Sequence, residues 1–261
     1  MTLSSIVALF QNDPQHKLND QVLLDYLSSV AVIQDAAIQK RLLAELIREY
    51  VILERKVEGL LKNTLPETVA NEIKHAGSFA PRPFDCTILF SDIVAFTQLA
   101  ERISGAVLVE LLDNLFQGMD DLVIRFGGTK IKTIGDAYMA VFGAPLAYQD
   151  HARMAVRTGM AFLTLVDSLN RQNDQHLQIR VGIHSGAVTA GVVGKERMQF
   201  DIFGDNVNIA SRFESSGETG KVNVSNETYV RTRDYFEFVE RGEIALKNKA
   251  SMKAYFVAKE R

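Results

Sequence analysis

A change of grain near Gly77 constrains this chain more than any other feature. Ahead of it, from about Gln21 to Leu61, there is no proline and no glycine before Gly59, and apolar residues recur with a helical period. Behind it, short apolar runs alternate with helical stretches and glycine punctuation. Such a chain must carry a helical segment followed by a domain of mixed strands and helices, of α+β or α/β class. Its 261 residues fit that division: at about 150 residues per domain, one large domain plus an appendage.

Within the first segment Leu43, Tyr50 and Val57 lie seven apart, as do Leu46, Leu53 and Leu60. They fill a and d positions over about two and a half heptads. A short coiled coil and an amphipathic helix packed on its own chain both satisfy that spacing. Pro66 ends the helix, a short helical piece runs to about Lys74, and Gly77 to Pro83 forms a linker.

Composition excludes several function classes. Hydrophobic residues at 47% and charged residues at 23% rule out a largely disordered chain. Twenty-nine Lys plus Arg against 32 Asp plus Glu leave a net charge of −3, which excludes a polybasic nucleic-acid binder. Cys86, the single cysteine, cannot form an intramolecular disulfide and fits a reducing compartment. The opening residues lack a basic n-region, and every long apolar run is interrupted by charge. The expectation is a soluble, cytoplasmic chain without a membrane segment.

After the linker, Asp85 to Phe90 reads as a buried strand and Gln98 to Arg125 as a helix stopped by Gly127-Gly128. Thr129 to Ile134 and Ala137 to Phe142 are strands joined by a tight Gly135-Asp136 turn. A helix over His151 to Asn170, strands at Gln178 to His184 and Gln199 to Phe203, and a helix over Asn206 to Phe213 follow. Short strands occupy the last fifty residues, ending in Lys253 to Ala258.

Two carboxylates sit in unusual places. Asp92 ends the apolar run Thr87 to Ser91, and Asp136 tips the hairpin. On neighbouring strands they would converge at one sheet end and suit a divalent cation; separately, one is a helix cap and the other a turn residue. Lys132 lies in a strand heading for the core, where a lysine is paired or functional; Asp136 and Asp201 are its candidate partners. Asn208 and Arg212, at i and i+4, share one helix face, and a guanidinium there suits a phosphoryl group. The glycines around His184 match no phosphate-binding loop and read as tight strand-to-strand packing. No histidine pair has zinc spacing.

Three stretches in order resemble the class III nucleotidyl cyclases: Leu89-Phe90-Ser91-Asp92-Ile93, Lys130 to Met139, and Gln199 to Arg212. The likeness runs from about Phe84 to Val257. It implies a ferredoxin-like mixed sheet flanked by helices, preceded by the helical or coiled-coil segment. The domains would be a 1–62 helical segment for dimerisation or signal transduction, a 63–83 connecting helix and linker, and an 84–261 catalytic domain. The resemblance implies an adenylate cyclase turning ATP into 3′,5′-cyclic AMP and pyrophosphate, with two Mg²⁺ ions per site, or Mn²⁺ in their place. Asp92 and Asp136, with the Ile93 carbonyl, would hold the ions. Lys132 and Asp201 would read adenine, since guanylyl cyclases resemble glutamate and cysteine there. Asn208 would orient the ribose, and Arg212 would meet charge on the α-phosphate. Lys247 would hold the terminal phosphates, with Lys249 as the alternative; Asn248 stands where family members often carry glycine. The resemblance also implies a homodimer with two interfacial sites, and the helical segment suggests an upstream sensory partner. A guanylate cyclase and an inactive cyclase-like dimerisation module are the competing readings.

Overall fold

Asp35 interrupts the first helical stretch: its carboxylate accepts from the amides of Ala37 and Ile38 at 2.8 and 3.2 Å. Where one helix was expected from about Gln21, the chain therefore restarts at a capped end, and α1 spans Ala36–Thr64. The structure is a computed structural model that describes residue 25 and residues 28–173, 176–195, 197–245 and 250–261. It divides into two units, Met1–Leu61 and Lys62–Arg261. On α1, Leu43 and Leu46 are half-buried while Tyr50 and Leu53 are exposed; the side chains of Val57 and Leu60 lie outside those described.

The second unit begins its regular structure with α2 (Glu67–Ala76), β1 (Arg82–Ile93), α3 (Phe96–Arg102) and α4 (Gly105–Arg125). Strands β2 (Gly128–Ile134) and β3 (Ala137–Phe142), helix α5 (His151–Asn173) and strands β4 (Ile179–Val193) and β5 (Gln199–Phe203) follow. Helix α6 (Asp205–Ser215), β6 (Val222–Ser225), α7 (Asn226–Thr232), β7 (Phe236–Ile244) and β8 (Met252–Glu260) complete it. The strands form one mixed sheet in the order β2-β3-β1-β4-β6-β8-β7, with β5 added to β4. The β4–β6 pair is parallel and the others are antiparallel. Helices flank this sheet, as the resemblance implied.

Leu111, Leu115, Met119 and Val123 recur every fourth residue along α4 and are buried. They join Leu89, Tyr138, Phe142, Phe162 and Ile183 in the main core, each fully buried apolar side chain contributing about 1.5–3 kcal/mol. Four expectations need correction. The helix expected over Gln98 to Arg125 is two, because Ile103 is extended and Ser104 caps a new start by accepting from Val107 N. β1 begins at Arg82, inside the expected linker, through pairing with Ala190 on β4. β4 runs nine residues past His184, to Val193, so its glycines do not end it. Helix α7 replaces part of the expected run of strands, because Ser225 caps it by accepting from Thr228 N.

Candidate active site

The central strand β1 lies between β3 and β4, so its end brings three elements together. Ser91 stands opposite Tyr138 of β3, which places Asp92 beside the β2–β3 turn that carries Asp136. The two carboxylates lie within hydrogen-bond reach of each other. Burial first, and then the neighbouring Asp92 charge, hold the Asp136 carboxyl above its ordinary value. Gly135, at φ 64°, makes this tight turn in the left-handed region that glycine adopts freely.

Across the β1–β4 ladder Asp92 faces Arg180. Arg180 Nη2 donates to Asp92 Oδ2 at 2.8 Å, and Nε donates to Glu214 Oε1 of α6 at 3.1 Å. Burial, then the Asp92 charge, pushes the Glu214 carboxyl up to about 7. Two aspartates in contact, with one carboxyl raised, form an oxygen-donor pair whose repulsion a divalent cation would relieve. Among the described residues no group of three or more His, Cys, Asp or Glu side chains is arranged to hold a metal. A pair of carboxylates still fits Mg²⁺ chemistry, because that ion keeps positions for water and phosphate. Asp92 does not cap the next helix: the residue before α3 is Ala95, held at φ 57° without a side-chain cap. Ile93 is buried at the end of β1, and its neighbour Val94 N donates to Gln178 O.

The structure pairs Lys132 with Asp201, Nζ to Oδ2 at 2.5 Å. Asp201 is 6% exposed on β5 and also accepts from Ile202 N at 2.8 Å. The β2–β3 ladder shifts register between Lys130 and Lys132. On α6, Asn208 and Arg212 are both exposed, whereas Ile209, Ala210, Phe213 and Glu214 are buried. At about 100° per residue, Arg212 lies roughly 200° from Glu214, on the opposite side of the helix. Thus Glu214 faces the Asp92 cluster of its own chain while Arg212 and Asn208 turn away. Lys247, with Asn248 and Lys249, lies outside the described residues.

Arg180 and Glu214 were missed in the sequence. Their signal was present: a charge between the apolar Ile179 and Val181, and an acid next to Phe213 on the helix's apolar side.

The domain is thus a mixed sheet with a carboxylate pair at the end of its central strand and a half-buried Lys132–Asp201 ion pair joining β2 to β5. Residues 80–259 match the family model described as the adenylate and guanylate cyclase catalytic domain. The chain is 36% identical over 249 residues to guanylate cyclase soluble subunit beta-2 of Rattus norvegicus, covering 94% of this chain and 36% of that protein. It is 37% identical over 202 residues to an adenylate cyclase of Mycobacterium bovis, covering 77% of this chain and 46% of that protein. Among solved structures, the adenylyl cyclase CyaB from P. aeruginosa superposes with a TM-score of 0.66 at 34% identity, over 70% of this chain and 98% of that one. The chain belongs to the adenylate and guanylate cyclase family, and it spans less than half the length of these two curated relatives. Among the described residues, no helix is long and apolar enough to cross a membrane.

Proposed function

We propose that this chain is an adenylate cyclase, forming 3′,5′-cyclic AMP and pyrophosphate from ATP at the interface of a homodimer. The observation that carries the base assignment is the Lys132–Asp201 pair. Adenine presents an acceptor at N1 and a donor at its 6-amino group, so lysine and aspartate match it. Guanine presents a donor and an acceptor at those positions, leaving both side chains opposed by their own kind. The pair's mutual contact keeps two charged groups satisfied until a base separates them.

Asp92, Asp136 and the Ile93 carbonyl are the groups that would hold Mg²⁺ or Mn²⁺. Bound there, the ions would acidify the ribose 3′-hydroxyl and counter the triphosphate charge. Asn208 would fix the ribose, and Arg212 would meet charge on the α-phosphate as it develops. Lys247 is proposed for the terminal phosphates. The bond from the 3′-oxygen to the α-phosphorus forms, the bond to the departing pyrophosphate breaks, and the hydroxyl proton leaves to water or a substrate phosphate. Because Arg212 faces away from its own chain's Asp92, the α6 residues of one protomer serve the carboxylates of the other. Residues 1–62 are proposed as the segment through which an upstream partner sets the relation of the two domains, whether or not α1 pairs as a coiled coil.

The test is an assay of purified protein with ATP and with GTP, with Mg²⁺ or Mn²⁺, across protein concentration. Cyclic AMP as the main product, with specific activity rising with concentration, is expected. Cyclic GMP as the main product would overturn the base assignment and establish the guanylate cyclase reading. Failure with both nucleotides would favour a non-catalytic module.

A further inference from the structure

Helix α6 carries Asn208 and Arg212, so its seat on β4 decides where both side chains stand. The residue before its first turn is Gly204, which offers no side chain to cap it. Two residues further on, a clasp ties the start of the helix to β4 instead. Asn206 Nδ2 donates to Ala187 O of β4 at 2.7 Å, and its Oδ1 lies 2.9 Å from His184 Nε2. The Ala187 carbonyl can only accept, so the amide nitrogen must face it and Oδ1 must face the imidazole. His184 therefore carries a proton on Nε2. Its Nδ1 lies 2.8 Å from the Ser225 hydroxyl oxygen and 3.7 Å from a Glu227 carboxylate oxygen.

The ring is 2% exposed and stacks on Phe213 of the same helix, centroids 6.2 Å apart and planes 14° from parallel. His184 thus grips α6 at both its start and its last turn. Room for the clasp comes from Gly186: a Cβ there would lie 2.6 Å from Asn206 Nδ2.

We propose that His184 and Asn206 are positioning residues for the cyclisation reaction, fixing α6 in the register that presents Asn208 and Arg212. The inference rests on the cyclase reading of those two residues. Neither His184 nor Asn206 is assigned contact with nucleotide. Loosening the clasp moves Arg212 relative to the phosphate without removing any group that binds the base, so turnover should fall more than affinity. Misplacement by about 1 Å can cost on the order of a hundredfold in rate.

The experiment compares the full chain with Asn206→Ala, His184→Phe and His184→Gln. Asn206→Ala and His184→Phe are expected to lower kcat by about tenfold to a hundredfold, with the KM for nucleotide within about threefold of the parent. His184→Gln places an amide N–H near the lost Nε2–H and should recover most of kcat. A parental kcat in Asn206→Ala overturns the proposal, as does a glutamine variant no better than phenylalanine. Should His184→Phe fail to fold, Asn206→Ala at its half-buried site decides alone. Amide hydrogen exchange reads the clasp without turnover: faster exchange confined to α6 in Asn206→Ala supports it, and unchanged exchange overturns it. A parent chain inactive with both ATP and GTP would count against the cyclase reading, while exchange would still decide the clasp.

Discussion

His151 is buried where α5 begins, with Nδ1 2.8 Å from Thr87 Oγ1 and Nε2 3.5 Å from an Arg231 nitrogen. Burial, and next the Arg231 charge, lower its pKa from 6.5, against a smaller opposing pull from Asp85. The unfolded chain therefore binds a proton that the folded chain refuses. Stability is fully present above pH 6.5 and falls as pH drops from there through the lowered folded value. Urea midpoints taken from roughly pH 7.5 down to 5.5 should decline in the parent and decline less in His151→Gln; parallel declines would show that other groups carry the effect. Burial also silences Cys86, whose thiol is pushed up to about 12, so it is no nucleophile. At this scale the sequence exposed some residues and hid others. Asp92, Asp136 and Lys132 stood out because each breaks an apolar strand or tips a turn. Arg180 interrupts an apolar run in the same way, but its role lay hidden. Its carboxylate partners, Asp92 on β1 and Glu214 on α6, lie 88 and 34 residues away in sequence and meet it only in the fold.

Elements were legible where period and punctuation agreed, as in α4 beyond Ser104 and in the β2–β3 hairpin. They were misread where glycine serves contact with a helix instead of with another strand. Gly182 and Gly186 lie inside β4 and leave it unbroken, because α6 rests on the strand's backbone at those points. A Cβ on Gly182 would lie 1.9 Å from Glu214 N, a main-chain atom that cannot step aside without the helix. The expected strand-to-strand packing is therefore helix-to-strand packing. Gly182→Ala should cost about 3 kcal/mol, lowering Tm by roughly 6–12 °C for a domain of this size. Gly191→Ala is the control: its added methyl would meet only ordinary contacts at 3.5 Å with Pro81, and Tm should stay nearly unchanged. Thermal unfolding of the two variants side by side checks the difference, and equal Tm losses would refute the close seating of α6.

For the whole molecule, the two faces of α6 decide how many chains a complete site needs. Glu214 turns inward to Arg180 and the Asp92 cluster, while Arg212 turns outward. If the reaction needs both the carboxylates and Arg212, two protomers must share each site, and a C2 pair has two such sites. That arrangement predicts rescue between two defective chains. Asp92→Asn retains Arg212, and Arg212→Ala retains Asp92, so each homodimer has two damaged sites. A mixed dimer combines the intact Asp92 of one chain with the intact Arg212 of the other in one site, and both defects fall in its second site. Random pairing makes about half the dimers mixed, each with one working site of two, so co-refolded or co-expressed variants should recover about a quarter of parental activity. Each variant alone should stay near zero at every concentration. No recovery, with mixed dimers shown by differential tagging, would place Asp92 and Arg212 in the same protomer's site or remove one of them from the reaction. Recovery would also explain why a chain carrying every motif residue turns its arginine away from its own aspartates.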